Sequence, residues 1–202
     1  MTVRTYAELA DDILATPARL GDVRLVCIDG PSGSGKTTFA QRLVHSLAAR
    51  GSVELVELEA LYSGWSLDGA WKRLNDWVLE PVSAGWAGGF HPYDWSRGEW
   101  SPAWHSVPVS QVLVVEGCGS APRAAQALTT RLIWVEAEPD IATMRGLARD
   151  GIVFQSQLST WKELEAAYFR AEQTRQRADL RVDGAPSAAL THDPEVAFTT
   201  VS

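Results

Sequence analysis

One segment, GPSGSGKT at 30–37, constrains the fold of this chain more than any other. It matches in full the pattern GxxxxGK followed by Ser or Thr, and it connects an apolar run at 23–30 to a helical pattern at 35–50. Its three glycines let the backbone curl until consecutive N–H groups converge, and a helix that begins there adds the positive end of its dipole. The segment therefore predicts a strand–loop–helix unit that binds phosphate groups.

The side chains of this loop support the same interpretation. Lys36 is one of only three lysines in the chain, and an ordinary glycine-rich turn, the alternative, gives no reason for its place beside the last glycine. We expect the Lys36 ammonium to reach the outer phosphate oxygens and the Thr37 hydroxyl to face Mg²⁺. The predicted nucleotide-binding residues are Gly30, Ser32, Gly33, Ser34, Gly35, Lys36, Thr37 and Thr38.

Strand-like and helix-like segments alternate along the chain. Strands are predicted at 23–30, 53–58, 111–117, 131–137 and 178–184. Helices are predicted at 5–18, 35–50, 67–82 and 139–151, with a further helix that Thr160 and Glu163 cap. This alternation favours a three-layer α/β domain around a mainly parallel five-stranded sheet. A length of 202 residues fits a single domain, 1–202, whose tail after residue 185 we expect to be loosely held.

The overall composition argues against several classes of function. The chain has 18 basic and 25 acidic side chains and a net charge of −7, which disfavours a nucleic-acid partner. No apolar run approaches the ~20 residues that span a bilayer, and the first residues lack the apolar stretch of a secretory signal. We therefore expect no membrane association and a cytoplasmic location. We also expect Cys27 and Cys118 to be reduced and buried.

The segment IDGPSGSGKTTFA, at 28–40, resembles the phosphate loop of the P-loop nucleoside and nucleotide kinases, specifically the uridine-kinase-like group. The resemblance covers 22–62, 111–117 and 140–184. It implies a P-loop NTPase fold, ATP and Mg²⁺ as cofactors, and phosphoryl transfer to a hydroxyl group of a small-molecule acceptor. It also implies an acceptor-side insertion at 62–110 and a lid at 140–160. The alternative is an ATP-binding regulatory or accessory protein with little turnover.

Two carboxylates are predicted at the ends of neighbouring strands, where the functional groups of an open α/β sheet gather. Glu59 follows the second strand in ELEALY, and Glu116 ends the third in VLVVEG. By resemblance, Glu59 is the acceptor-side base and an outer Mg²⁺ contact, Glu116 holds metal-bound water or substrate, and Tyr62 packs near the acceptor. The family usually has Asp where this chain has Glu59, which motivates the low-turnover alternative. A solvated strand-end carboxylate is the plain structural interpretation of either residue.

Arg145 and Arg149 lie four residues apart on the helix after the fourth predicted strand, so they share one face. The segment MRGLARDG resembles the lid of such kinases, which implies that both arginines bind ATP phosphates and assist catalysis. A pair of solvent-facing arginines with acidic neighbours is the alternative. The resemblance also implies that the loop at 183–186 contacts adenine.

Seven of the nine tryptophans lie between residues 65 and 104. They predict either an acceptor pocket, in which aromatic faces stack on a flat or sugar-like ligand, or the core of a small subdomain. The triplet Tyr93-Asp94-Trp95 is the most pocket-like part, because Asp94 is able to accept a proton from a hydroxyl group. Exposed aromatic side chains would also suit a homodimer contact, although the sequence leaves the oligomeric state open.

Overall fold

The computed structural model of this protein describes residues 2–151, 154–186 and 192–201. Its helices are α1 Tyr6–Ala15, α2 Lys36–Ala48, α3 Ala70–Leu74, α4 Glu80–Ser83, α5 Pro139–Asp150, α6 Gln155–Glu172 and α7 Thr174–Arg177. Its strands are β1 Thr2–Thr5, β2 Arg24–Asp29, β3 Val53–Glu57, β4 Gly88–Phe90, β5 Tyr93–Asp94, β6 Glu99–Trp100, β7 His105–Val107, β8 Val112–Glu116, β9 Thr129–Glu136, β10 Leu180–Asp183 and β11 Ala197–Thr200.

The central sheet contains seven strands within the described residues, in the order β1-β11-β10-β9-β2-β8-β3. The five strands from β10 to β3 pair in parallel, and β1 and β11 add an antiparallel edge. The residues of β8 are all buried, as is typical of a parallel sheet that is covered on both faces. The chain is therefore an α/β protein with a mainly parallel sheet, as its sequence predicts.

Alternate side chains of the central strands enter two hydrophobic cores, one on each face of the sheet. Leu25 and Cys27 of β2 belong to one core, together with α3, α4 and Trp161 of α6. Val26 and Ile28 belong to the other, together with α1 and α2. Parallel pairing places the carboxyl ends of β2, β8 and β3 next to one another, and the site described below lies at this edge.

The predicted number of strands is wrong, because β1 and β11 complete a seven-stranded sheet. The pairing of Thr2 with Thr200 shows that residues 197–200 are part of the sheet rather than loosely held. Residues 187–191, which the same prediction covers, lie outside the described residues. The predicted cap at Thr160 is also wrong, because α6 begins at Gln155 and the Thr160 hydroxyl donates to the Ser156 carbonyl inside the helix.

Other local predictions are confirmed. Helix α1 begins with a capping box in which Thr5 and Glu8 exchange hydrogen bonds. Helices α3 and α4, joined by a π-helical turn at Asn75–Leu79, form one helical segment near the predicted 67–82. Cys27 and Cys118 are buried free thiols.

In the described part of the chain, no helix combines the length and apolar character needed to cross a membrane.

The segments predicted as an insertion and a lid each contain further secondary-structure elements. The insertion continues after the helical segment as two antiparallel hairpins, β4 with β7 and, between them, β5 with β6. The lid prediction, 140–160, falls mostly on α5 and the start of α6, while residues 152 and 153 lie outside the described residues.

Candidate active site

The segment at 30–37 forms the predicted loop between β2 and α2. Gly30, Gly33 and Gly35 have φ angles of 147°, 78° and 100°, which L-residues with side chains rarely adopt. A Cβ atom on Gly33 would lie 2.0 Å from the Ala142 carbonyl oxygen of α5. The glycines therefore allow both the curl of the loop and the close packing of α5 against it.

Three side chains of the loop region meet at its inner edge. The Lys36 ammonium donates to the Pro31 carbonyl at 2.9 Å, and the Thr37 hydroxyl donates to Oε1 of Glu116 at 2.9 Å. Burial raises the pKa of the Glu116 carboxyl, while Lys36 and the hydrogen bond from Thr37 oppose this shift. The arrangement places one ammonium, one hydroxyl and one carboxylate at the end of the predicted phosphate-binding loop.

These residues fit a magnesium-bound triphosphate. The Ser34 hydroxyl in the loop is buried and has no hydrogen-bond partner among the described residues, so a ligand oxygen there would satisfy it. The described residues contain no group of three or more His, Cys, Asp or Glu side chains able to hold a metal by themselves. Mg²⁺ is commonly held by one or two protein oxygens together with phosphates, and Thr37 with Glu116 supplies that number.

A cavity of about 400 Å³ adjoins the loop. It brings together eight of the residues predicted for the site, namely Ser32, Lys36, Thr37, Glu59, Tyr62, Trp95, Glu116 and Arg149. Its remaining lining residues are Trp65, Ser96, Gly117, Cys118, Phe154 and Trp161. Residues from the loop, both predicted carboxylates and Arg149 of α5 thus line one cavity.

Glu59 reaches this cavity from a single 3₁₀ turn, Leu58–Leu61, which follows β3 directly. Leu58 and Leu61 are buried at the two ends of the turn, while Glu59 is exposed. The two leucines therefore anchor the backbone on the core and leave the carboxylate on the cavity side. Tyr62 follows the turn, is buried, and donates from its hydroxyl to the Cys118 carbonyl at 2.7 Å.

An aromatic wall, defined as Trp65, Trp95, Phe154 and Trp161, lines part of the cavity. The ring of Trp65 lies 5.8 Å from that of Trp95, 6.0 Å from that of Trp161 and 6.2 Å from that of Phe154. Trp65 packs nearly perpendicular to both indoles, a favourable arrangement for aromatic pairs. The wall combines the insertion, which supplies Trp65 and Trp95, with α6 and the residue before it.

The structure does not bring Tyr93 and Asp94 into this cavity. Oδ1 of Asp94 accepts hydrogen bonds from the backbone and hydroxyl of Ser96 and from the backbone of Arg97, which lower its pKa and close the turn after β5. Tyr93 packs on the rings of Trp95 and Trp100. Both residues support the hairpin that presents Trp95.

A second cavity, of about 440 Å³, lies on the other side of the loop. It is lined by the predicted residues Gly35, Thr38 and Arg145 and by part of the loop at 183–186. Nη1 of Arg145 donates to the Gly184 carbonyl at 2.9 Å. Arg145 and Arg149 therefore line different cavities, although they are one helical turn apart on α5.

Sequence reasoning missed several residues that hold the loop in place. Asp29, the last residue of β2, is fully buried and accepts hydrogen bonds from the amides of Gly30, Gly119 and Ala121 at 2.8, 2.9 and 3.1 Å. Burial raises its pKa to about 6, against the opposing effect of these bonds. Its only signal in the sequence is its place directly before the first glycine. Glu165, from α6, binds the loop at Ser32 with no local signal.

Comparison with known proteins shows the fold. Neither a family model nor a curated protein matches the chain. A structure described as a possible uridine kinase from Bacillus stearothermophilus is similar, with a TM-score of 0.62, 19% identity and coverage of 87% of this chain and 96% of that one. A candidate fructose transport system kinase from Silicibacter sp. TM1040 gives a TM-score of 0.60, 18% identity and coverage of 84% and 95%.

Proposed function

Since the chain has the fold of uridine-kinase-like P-loop kinases, we propose that it is a small-molecule kinase that uses magnesium-bound ATP. The reaction is the transfer of the γ-phosphoryl group to a hydroxyl of the acceptor. The single observation that carries this proposal is the first cavity, where the phosphate loop, two carboxylates and an aromatic wall face one another. A protein that only bound nucleotide would not need this aromatic-lined cavity in addition to a nucleotide site.

The two cavities accommodate different parts of the substrates. The triphosphate lies along the loop, so that the base and ribose occupy the cavity beside Thr38 and Arg145, and the γ-phosphoryl group enters the cavity beside Lys36. The acceptor lies between the loop and the aromatic wall. Indole faces favour a flat or sugar-like body, and the exposed carboxylate of Glu59 receives its hydroxyl group.

The chemistry follows from this placement. The acceptor oxygen forms a bond to the γ-phosphorus as the bond from that phosphorus to the bridging oxygen of ADP breaks. Glu59 takes the proton of the acceptor hydroxyl, as a general base. Lys36 and Arg149 stabilise the charge on the transferring oxygens. When bound, Mg²⁺ neutralises phosphate charge, and the Thr37 hydroxyl and Glu116 carboxylate hold it in place.

A screen for ADP release tests the proposal. The protein is incubated with ATP and with nucleosides, nucleotides, vitamins and sugars in turn, with and without Mg²⁺. We expect at least one hydroxyl compound to increase ADP release strongly, and only with Mg²⁺. Binding of Mg-ATP without acceptor-dependent ADP release would favour the regulatory alternative. No heat of binding with Mg-ATP in calorimetry would overturn both interpretations.

A further inference from the structure

Both backbone groups of Ser32, in the phosphate loop, are bound by side chains of one helix, α6. The Ser32 amide donates to Oε2 of Glu165 at 2.8 Å, and its carbonyl accepts from the ammonium of Lys162 at 2.9 Å. Lys162 and Glu165 also form an ion pair of 3.5 Å with each other. Side chains of one helix thus bind both the amide and the carbonyl of a single loop residue.

Burial makes these contacts consequential. Glu165 is only 3% exposed, and a carboxylate removed from water is destabilising unless it is paired and hydrogen-bonded. Its partners are the Ser32 amide and the Lys162 ammonium, so the loop itself supplies part of what stabilises this charge. Neither residue lines the first cavity, so neither is placed to touch a substrate there.

The same helix carries part of the acceptor cavity. Trp161 of the aromatic wall precedes Lys162 directly and lies one turn before Glu165, on the same face of α6. Phe154, also in the wall, is the residue before the helix begins. A ligand that displaced the backbone at Trp161 would also displace the two side chains that hold Ser32, because all three residues lie within two turns of one helix.

We propose that Glu165 and Lys162 are positioning residues that set the phosphate loop and couple its occupancy to that of the acceptor cavity. The inference rests on the proposed function and adds to it a route between the two substrates. Such coupling is reciprocal, so an acceptor that tightens nucleotide binding through α6 is itself bound more tightly, by the same factor, when nucleotide is present. The loop then adopts the conformation needed for phosphoryl transfer when an acceptor packs against α6.

The test compares four variants in their affinity for Mg-AMP-PNP, a non-hydrolysable ATP analogue, measured by calorimetry. Glu165→Ala removes the acceptor of the Ser32 amide, and we expect the affinity to fall about tenfold or more. Glu165→Gln keeps an oxygen able to accept that bond and should restore most of the affinity. Lys162→Met removes the ammonium that donates to the Ser32 carbonyl and keeps a side chain of similar length. Glu163→Ala, at an exposed position on the same helix, is the matched control and should leave the affinity unchanged.

Two further readouts separate positioning from general destabilisation. With the acceptor found in the ADP-release screen, the wild type should bind Mg-AMP-PNP more tightly than without it, and Glu165→Ala should lose this difference. Rescue by Glu165→Gln at equal melting temperature would support positioning. If Glu165→Ala does not fold, Lys162→Met carries the same test. The inference would be overturned if Glu165→Ala, or Lys162→Met in its place, kept the affinity and the coupling of the wild type. Failure of the wild type to bind Mg-AMP-PNP would overturn the proposed function instead.

Discussion

The hydroxyl of Thr37 donates a hydrogen bond to Oε1 of Glu116 across 2.9 Å, which joins the first turn of α2 to the last residue of β8. The two residues are 79 positions apart in sequence. Parallel pairing of β2 with β8 sets Ile28 opposite Glu116, so the loop after β2 begins beside that carboxylate. The sheet therefore brings the end of the strand that carries Glu116 next to the loop that leads to Thr37.

The raised pKa of Glu116 predicts a pH dependence of nucleotide binding. Burial and the charges of Glu57 and Glu59 raise this pKa, so Glu116 takes up a proton at a higher pH than an ordinary glutamate does. A protonated Glu116 binds Mg²⁺ poorly, and the affinity for Mg-AMP-PNP should fall as the pH is lowered toward that raised value. Calorimetry from about pH 8 down to about pH 5 measures this.

Glu57→Gln provides the sharper version of the same measurement. Glu57 pairs with Glu116 across β3 and β8, and its negative charge contributes to the raised pKa. The variant should move the loss of affinity to lower pH, while Glu54→Gln, on the same strand, should not. An unchanged pH profile in Glu57→Gln would contradict this electrostatic account of Glu116.

Substitution of Lys36 by Ala should abolish phosphoryl transfer and leave the fold intact. The ammonium is the loop's only side-chain cation, and loss of one such electrostatic group lowers turnover by about 10²-fold or more. Lys72→Ala is the matched control, because Lys72 is a lysine of the insertion whose side chain is 79% exposed. ADP release and the melting temperature are measured for both, and retained turnover in Lys36→Ala would refute the role of the loop.

Glu59→Gln should lower turnover by about 10²- to 10⁴-fold with little change in nucleotide affinity, because a base acts on the acceptor rather than on ATP. Steady-state kinetics and calorimetry give the two quantities. Glu59→Asp tests whether the extra methylene of this chain is needed to reach the acceptor from the 3₁₀ turn. Equal rates for the wild type and Glu59→Gln would remove Glu59 from the mechanism.

Substitution of Arg149 by Ala and of Arg145 by Ala should have different effects, because the two arginines line different cavities. Arg149→Ala is expected to slow the chemical step by about 10³-fold or more, since an arginine near the transferring phosphoryl group acts on the transition state. Arg145→Ala should mainly weaken nucleotide binding. Single-turnover kinetics and nucleotide affinities distinguish the two, and identical effects would argue that both arginines serve one cavity.

The predicted and the observed structures agree best where the signal is local. The glycine pattern, the apolar runs of β2 and β8 and the capping box at Thr5 each depend on residues within one element. The strands β1 and β11 were not predicted, because TVRT and AFTT are short and partly polar and pair only with distant strands. Such strands form because a neighbouring edge offers unpaired backbone groups.

The candidate site shows the same division. The loop residues, Glu59 and Glu116 are predicted from motifs and strand ends, and their meeting in one cavity follows from parallel topology. Asp94 appears pocket-like in sequence, yet its carboxylate closes a turn, which an aspartate two residues before a serine does readily. The contact between Ser32 and Glu165 spans 133 residues, and only the packed fold brings them together.

The position of the loop between two cavities also has a consequence for inhibitor design. Lys36 and Thr37 line one cavity, while their neighbours Gly35 and Thr38 line the other. A compound that joins a purine-like group to an aromatic alcohol through a short anionic linker would fill both at once. Tethering makes the second binding event intramolecular, so its affinity should exceed that of either half by about 10²- to 10⁴-fold.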